Sequence, residues 1–407
     1  MKVNQWTIGL AAAGVISFGA VAQAEEKPAN QVLTAVSSTC LSGYVNTSAT
    51  WSPGKAAGAP GYSYSGGKND GFNLNVVDIA FHKSLDEGEW AAGYTAELWL
   101  GPDAVGLGNT IAGAANGSSI AVKQAYVALN APIGNGINFK MGVFDTIVGY
   151  ESANSVDNPN YTRSYGYTIE PTSQTGLLAS YKVCDGFSLS GGLANSYNAV
   201  INGRAGGAGA AAVSASQKSI LAGISLTAPD SLGFLKGAVL NAGVVDGKAS
   251  GAAVAQPDTT LIYVGATIPT PWETVKLGAS WDHLQLAKTA AFAATRDSDS
   301  FALYASFSGI EKLKVNARIE YFDNNGGLAL GGPAAAVPAS GAASGSANAE
   351  VLGATLTLDY ALWANVTTRL EYRLDKDLSH GHNLPGSTAA VGLNNAQLIA
   401  LNVIYKF

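Results

Sequence analysis

An all-β fold, an antiparallel transmembrane β-barrel of about sixteen strands, is what this sequence predicts. Three observations point there. Apolar and polar residues alternate with a period of two over many short stretches, short and long connections alternate between those stretches, and the final stretch keeps the alternation to its last residue, Phe407. The chain is 47% hydrophobic and 13% charged, enough to order a large structure, yet its apolar residues are seldom contiguous. Past the N-terminus no window offers the roughly 18 uninterrupted apolar residues that a membrane helix needs. A backbone that crosses a bilayer without helices must close its hydrogen bonds into a barrel. The 49 glycines and 17 tyrosines, against two methionines, fit strands, turns and interfacial rings.

The first residues have the layout of an export signal: Lys2 supplies the positive region, Ile8 to Val21 the apolar stretch, and Ala22-Gln23-Ala24 a small-residue cleavage site. Residues 1–24 are therefore expected to be removed, leaving 25–39 as a periplasmic N-terminal segment and 40–407 as the barrel. Without Lys2 the formal charge of -6 becomes -7, and no basic stripe is present, so nucleic acid is excluded as a partner.

Each strand needs roughly 9 to 11 residues that face lipid and lumen in turn. In Thr367 to Asp375, Leu370, Tyr372 and Leu374 take the lipid side, while Arg369, Glu371, Arg373 and Asp375 take the other. Leu313 to Tyr321 sets Val315, Ala317, Ile319 and Tyr321 against Lys314, Asn316, Arg318 and Glu320. Upward strands fall near Leu41 to Trp51, Trp90 to Gly101, Ile137 to Tyr150, Phe187 to Tyr197, Leu235 to Asp246, Thr274 to Leu286, Leu313 to Asp323 and Val366 to Asp375. Downward strands fall near Gly71 to Leu85, Ile120 to Ala131, Thr168 to Val183, Lys218 to Ala228, Thr259 to Ile268, Ser300 to Ile310, Glu350 to Ala361 and Ala396 to Phe407. The pattern tolerates roughly fourteen to eighteen strands, and in Phe72 to His82 it leaves open whether Asp78 faces the lumen.

Short links such as Asp86 to Glu89, Gly134 to Gly136, Cys184 to Gly186 and Trp363 to Asn365 alternate with long ones at Ser52 to Asp70, Asp103 to Ser119, Asn198 to Gln217 and Asn324 to Ala349. Short turns belong on the periplasmic side and long loops outside. The Gly, Ala, Ser and Pro content of the last predicts a mobile external loop. Trp90, Trp99, Trp272, Tyr321, Tyr360, Trp363 and Tyr405 fall near strand ends and suit interfacial girdles, although a lumen-facing role for Trp99 stays open.

Ile399, Leu401, Val403, Tyr405 and Phe407 recur every second residue and end the chain on an aromatic. This resembles the recognition strand that outer-membrane proteins present to the barrel-assembly machinery, with Tyr405 and Phe407 as the assembly signal. The resemblance implies that machinery as a partner in biogenesis and outer-membrane lipid as the surroundings.

Between Gly142 and Tyr181 the chain carries FDTIVGYE, NPNYTRSY and EPTSQTG, and its first strand opens with LSGYVNTS at Leu41. In these phrases it resembles the OmpL-like β-barrel porin family. The resemblance implies an outer-membrane barrel of a Gram-negative bacterium with an aqueous pore, and says little about substrate. The same segment lies between the fifth and sixth strands, where sixteen-stranded general porins fold an external loop into the lumen. By that likeness residues 151–167 would form the pore constriction. Glu151 and Asp157 would supply negative charge there, opposed by Arg163 or by the wall residues Arg318, Arg369 and Arg373, and the field between them would orient permeating solutes. A plainer alternative stays open, in which Asp157-Asn158-Pro159-Asn160 is a turn that Tyr161, Tyr165 and Tyr167 pack against the wall. Arg318, Glu320, Arg369, Glu371, Arg373 and Asp375 likewise either tune ion preference or pair to rigidify a polar interior.

Cys40 and Cys184 both fall near the periplasmic end, and form either a disulfide or two separate thiols. His82, His283, His380 and His382 make no metal-ligand set, and no nucleophile, Walker or dinucleotide motif occurs. No catalytic residue, metal or cofactor is expected, and the chain is not expected to be an enzyme. Asp282 and His283, neighbours in one strand, would point to opposite faces. The expected activity is passive diffusion of small hydrophilic solutes or ions through a water-filled barrel, in a chain that could form a homotrimer as many general porins do. The alternatives are a structural or adhesive barrel that binds partners through its external loops, and an outer-membrane hydrolase.

Overall fold

The computed structural model describes residues 31–34 and 37–407, except for stretches of the connections at 54–63, 65–67, 69, 86–87, 108–118, 206–215, 251–256, 289–293, 326–347, 380–383 and 385–393. The expected export segment, His380, His382 and most of the Gly- and Ala-rich connection lie outside the described residues.

Sixteen strands form the barrel: β1 (Ser37–Trp51), β2 (Gly71–Lys83), β3 (Ala91–Leu100), β4 (Ile120–Ala131), β5 (Ile137–Asp145), β6 (Ser173–Cys184), β7 (Phe187–Ala194), β8 (Ser219–Thr227), β9 (Val239–Lys248), β10 (Asp258–Pro269), β11 (Val275–Leu286), β12 (Arg296–Ile310), β13 (Leu313–Asn325), β14 (Asn348–Trp363), β15 (Val366–Asp377) and β16 (Asn395–Lys406). Each pairs antiparallel with the next, and β16 returns to β1. Gly43 and Phe407 seal that seam by exchanging backbone hydrogen bonds of 3.0 and 2.9 Å. A separate four-residue strand, Gln31–Thr34, pairs with the start of β1. With its ends joined, the sheet keeps no open edge, the condition for crossing lipid without helices.

Burial inverts the soluble pattern. Ile319, Leu356, Leu370 and Leu401 are 58, 49, 49 and 41% exposed, whereas Arg318, Thr357, Glu371 and Asn402 on the opposite parity are at most 1% exposed. Apolar residues therefore face outward and charged ones inward, the arrangement of a transmembrane barrel. Trp90, Trp272 and Trp363 are exposed near strand ends, as a girdle requires. Trp99 instead faces inward and is fully buried, packed edge-on against Tyr64 at 5.4 Å between ring centroids.

Some boundaries differ from the sequence expectation. A bulge at Asn75 gives β2 one extra residue opposite Asn46 and Thr47, and with that register Asp78 lies opposite Tyr44 on the inward face. The expected strand Ile137 to Tyr150 stops at Asp145, where the chain leaves the wall. Thr168 to Pro171 is not strand: a short helix ends at Ile169, Pro171 has no N–H for a ladder, and β6 starts at Ser173. A 3-10 turn, Asp230–Leu235, delays β9 to Val239. Cys40 and Cys184 are free; β1 and β6 lie several strands apart, well beyond the reach of an S–S bond, so no disulfide joins them.

Candidate functional site

The connection from β5 to β6, residues 146–172, turns inward and lies across the lumen. It first runs along a part of the wall with no side chains in the way. Inward-facing Gly223 on β8 and Gly243 on β9 allow this: a Cβ on Gly243 would come 2.9 Å from Val148 Cγ1, and one on Gly223 would come 3.4 Å from Ile147 Cδ1. Tyr150 then stacks on Tyr304 of β12, centroids 4.2 Å apart, and its hydroxyl lies 3.1 Å from that of Thr267 on β10.

From there the loop reaches the far side. Asn154 Nδ2 donates to Glu97 of β3 at 3.1 Å, Ser155 N donates to the Tyr44 hydroxyl at 3.3 Å, and Tyr161 and Ser48 hydroxyls meet at 3.0 Å. The tip is the turn expected around Asp157 to Asn160. Asn158 closes it by accepting from Ser152 N at 2.8 Å and donating to Ser152 O at 2.7 Å. Both halves of the alternative reading thus occur in one structure: a turn that tyrosines pack, within a loop that crosses the lumen.

On the return the loop's backbone N–H groups meet wall carboxylates. Tyr161 N and Thr162 N donate to Glu371 at 2.6 and 3.0 Å, and Tyr165 N donates to Glu320 at 2.6 Å. Arg318 pairs with Glu151 at 2.8 Å and Glu320 at 3.0 Å, and its guanidinium donates to Thr162 O and Arg163 O at 3.0 and 3.1 Å. Arg373 pairs with Asp375 at 2.9 Å and donates to Arg163 O at 2.6 Å. Arg369 pairs with Asp359 at 2.7 Å and holds Ser155 O at 2.8 Å. Arg163 belongs to the loop itself, clamping the carbonyls of Ser152, Tyr161 and Ala153 at 3.0 Å each, flanked by the rings of Tyr64 and Tyr167. A desolvated guanidinium is tolerable only when its donors are this fully used.

Eight of the nine charged residues singled out in the sequence therefore converge on the docking of this loop. Arg163, Arg318, Arg369 and Arg373 are 4% exposed or less. Asp157 is the exception: it is half-buried at the loop's tip and makes no ion pair among the described residues, although Lys406, Lys123 and Arg369 act on it.

Sequence reasoning missed the partners that come from other connections. The Tyr64 hydroxyl donates to Ala153 O at 2.9 Å and lies 2.6 Å from that of Tyr167. Lys68 is ion-paired to Asp103 beside the short helix α1 (Pro102–Gly106), and Thr172 Oγ1 donates to Leu107 O at 3.1 Å. A second helix, α2 (Tyr165–Ile169), is capped by Ser164 Oγ, which accepts from Tyr167 N at 3.2 Å. Nearer the outer end the inward face is apolar: Leu221, Val245, Leu261, Leu284, Phe322 and Val351 are buried in one cluster with Tyr165, Ile169 and Tyr197. Inward alternation does not guarantee polarity where connections fold back to supply an apolar partner.

Among the described residues no group of three or more His, Cys, Asp or Glu could hold a metal ion. His283 Nδ1 lies 3.0 Å from Asp299 on the outward face, while Asp282 is buried inside, so the two neighbours do point apart.

Residues 38–407 match the family described as Putative beta-barrel porin-2, OmpL-like. No curated protein matches the chain. Among solved structures, the chain is similar to an anion-selective porin from Comamonas acidovorans, with 14% identity, a TM-score of 0.61, and 91% of this chain and 99% of that one covered. It is similar to the trimer form of OmpT from Vibrio cholerae, with 12% identity, a TM-score of 0.57 and coverage of 91% and 99%. It is also similar to OmpF of Salmonella typhi in complex with daunomycin, with 13% identity, a TM-score of 0.55 and coverage of 93% and 100%. At such identities the likeness to solved structures is one of fold.

Proposed function

The chain belongs to the beta-barrel porin-2, OmpL-like family, and from that premise we propose that it passes small hydrophilic solutes or ions passively through a passage narrowed by residues 146–172. The observation that carries the reading is the docking of this loop inside a closed barrel by a buried ion-pair network centred on Arg318 and Arg373. A narrowed passage discriminates only if its walls stay in place against the solute, and buried, ion-paired charges hold the loop in place. Glu151, Arg163, Arg318, Glu320, Arg369, Glu371, Arg373 and Asp375 then act as anchors of the constriction, and Asp157 is the loop carboxylate left to act on solutes.

Transport of this kind needs no bond chemistry, cofactor or metal. The reading includes export through a cleaved leader at 1–24, insertion into the outer membrane of a Gram-negative bacterium guided by Tyr405 and Phe407, and assembly as a homotrimer. The test is conductance of the purified full chain in planar lipid bilayers. Discrete channel steps are expected; their absence, where a control porin conducts, overturns the reading.

A further inference from the structure

The inserted loop does not treat the wall evenly. Its hydrogen bonds to inward side chains run to β1, β3, β10 and β13 to β15, with one long contact from Gln174 at the start of β6 to Thr146 at 3.5 Å, and among the described residues none joins it to Ser180 of β6 or to Ser188 and Ser190 of β7. Those serines remain half-buried, as does Lys140 of β5. Pairing places them on one inward surface: Lys140 lies opposite Leu178, Ser180 opposite Asn138 and Ser190, and Lys182 opposite Ser188. Lys140 Nζ sits 4.9 Å above the ring of Tyr126, and Tyr126 and Ile147 are both partly exposed at this side of the loop.

From Tyr126 down to the periplasmic turns, the inward positions of β4 to β8 contain lysine, serine, threonine and asparagine but no carboxylate. This departs from a chain whose net charge is -6. Lys182 is offset in part by Asp185 on the adjacent turn, 2.6 Å away, which leaves Lys140 as the lysine of this surface that makes no ion pair among the described residues.

We propose that the passage runs between the inserted loop and the β5 to β7 wall, and that Lys140 makes it favour small anions, carboxylates and phosphates included. The proposal rests on the porin reading and adds the route and the sign of its selectivity. Ammonium and hydroxyl groups attract an anion and replace part of its hydration, while their half-exposure keeps the interaction weak enough for release; the nearby Asp145 carboxylate, which also feels Lys140, is ion-paired to Lys123. A charge this close to the path is only partly screened, since the Debye length at 0.1 M salt is about 10 Å.

The experiment is the reversal potential of single channels formed by the full chain under a tenfold KCl gradient. The native protein is expected to prefer chloride, and Lys140→Glu to lower the chloride-to-potassium permeability ratio by about threefold or more. Lys140→Gln, which removes the charge and keeps a polar side chain one atom shorter, should shift it in the same direction by less. Potassium preference in the native channel, or an unchanged ratio in both variants, overturns the proposal while leaving the porin reading intact. Absence of any channel overturns both.

Discussion

Two sides of the barrel interior use the same kinds of residue to opposite ends. Along β13 to β15, Arg318, Arg373, Glu320 and Asp375 are at most 1% exposed and consumed by one another and by the loop. Along β5 to β7, Lys140, Ser180, Ser188 and Ser190 are half-buried and not tied to the loop. Charge in a dry junction is structural, because each group must be paired to be there at all. Charge beside water is available to whatever passes.

The sharpest way to break this contrast is Arg318→Ala, which strands Glu151 without its ion-pair partner and leaves Glu320 only Arg373, 3.2 Å away. Removing one member of a buried pair typically costs about 3–5 kcal/mol. Chemical unfolding should register a loss of that order, and single-channel records should become noisier as the loop loosens. A loss under about 1 kcal/mol would mean that the junction is wet after all. Gly243→Val attacks the loop from the bare wall, since even its Cβ would lie 2.9 Å from Val148 Cγ1. Overpacking of this kind costs about 1–3 kcal/mol, and the conductance should change with the displaced loop.

A graded effect is expected from pH. Burial and the adjacent Asp282 carboxyl hold the loop residue Glu170 well above the usual carboxylate range. A raised carboxyl binds its proton more tightly in the docked state, so docking is strongest at low pH and weakens as pH rises above the ordinary glutamate value of about 4.3. Open-channel noise should therefore grow with pH, and Glu170→Gln should flatten the curve; an identical pH profile in the variant would remove Glu170 from the account. The smallest stability change belongs to Lys140→Gln, expected within about 0.5 kcal/mol of the native protein in the same unfolding assay. A large loss there would show that the β5 to β7 wall is also structural.

Much of the fold was legible because a barrel strand writes its orientation into every second residue. The parity of Arg369, Glu371, Arg373 and Asp375 could be read directly, as could the number of strands and the position of the loop before EPTSQTG. Asp78 could not be oriented, because the bulge at Asn75 that sets its parity depends on which residues of β1 it faces. Trp99 could not be assigned between girdle and lumen for a similar reason: its partner, Tyr64, comes from a different connection.

The sequence by itself determined the barrel and its inward charges, since these follow from local alternation and from the bilayer's demand that every backbone group be paired. Only the tertiary structure decided what those charges do. Whether an inward arginine meets water or a loop carbonyl depends on contacts such as Arg318 to Thr162, 156 residues apart in the chain, which no local pattern encodes.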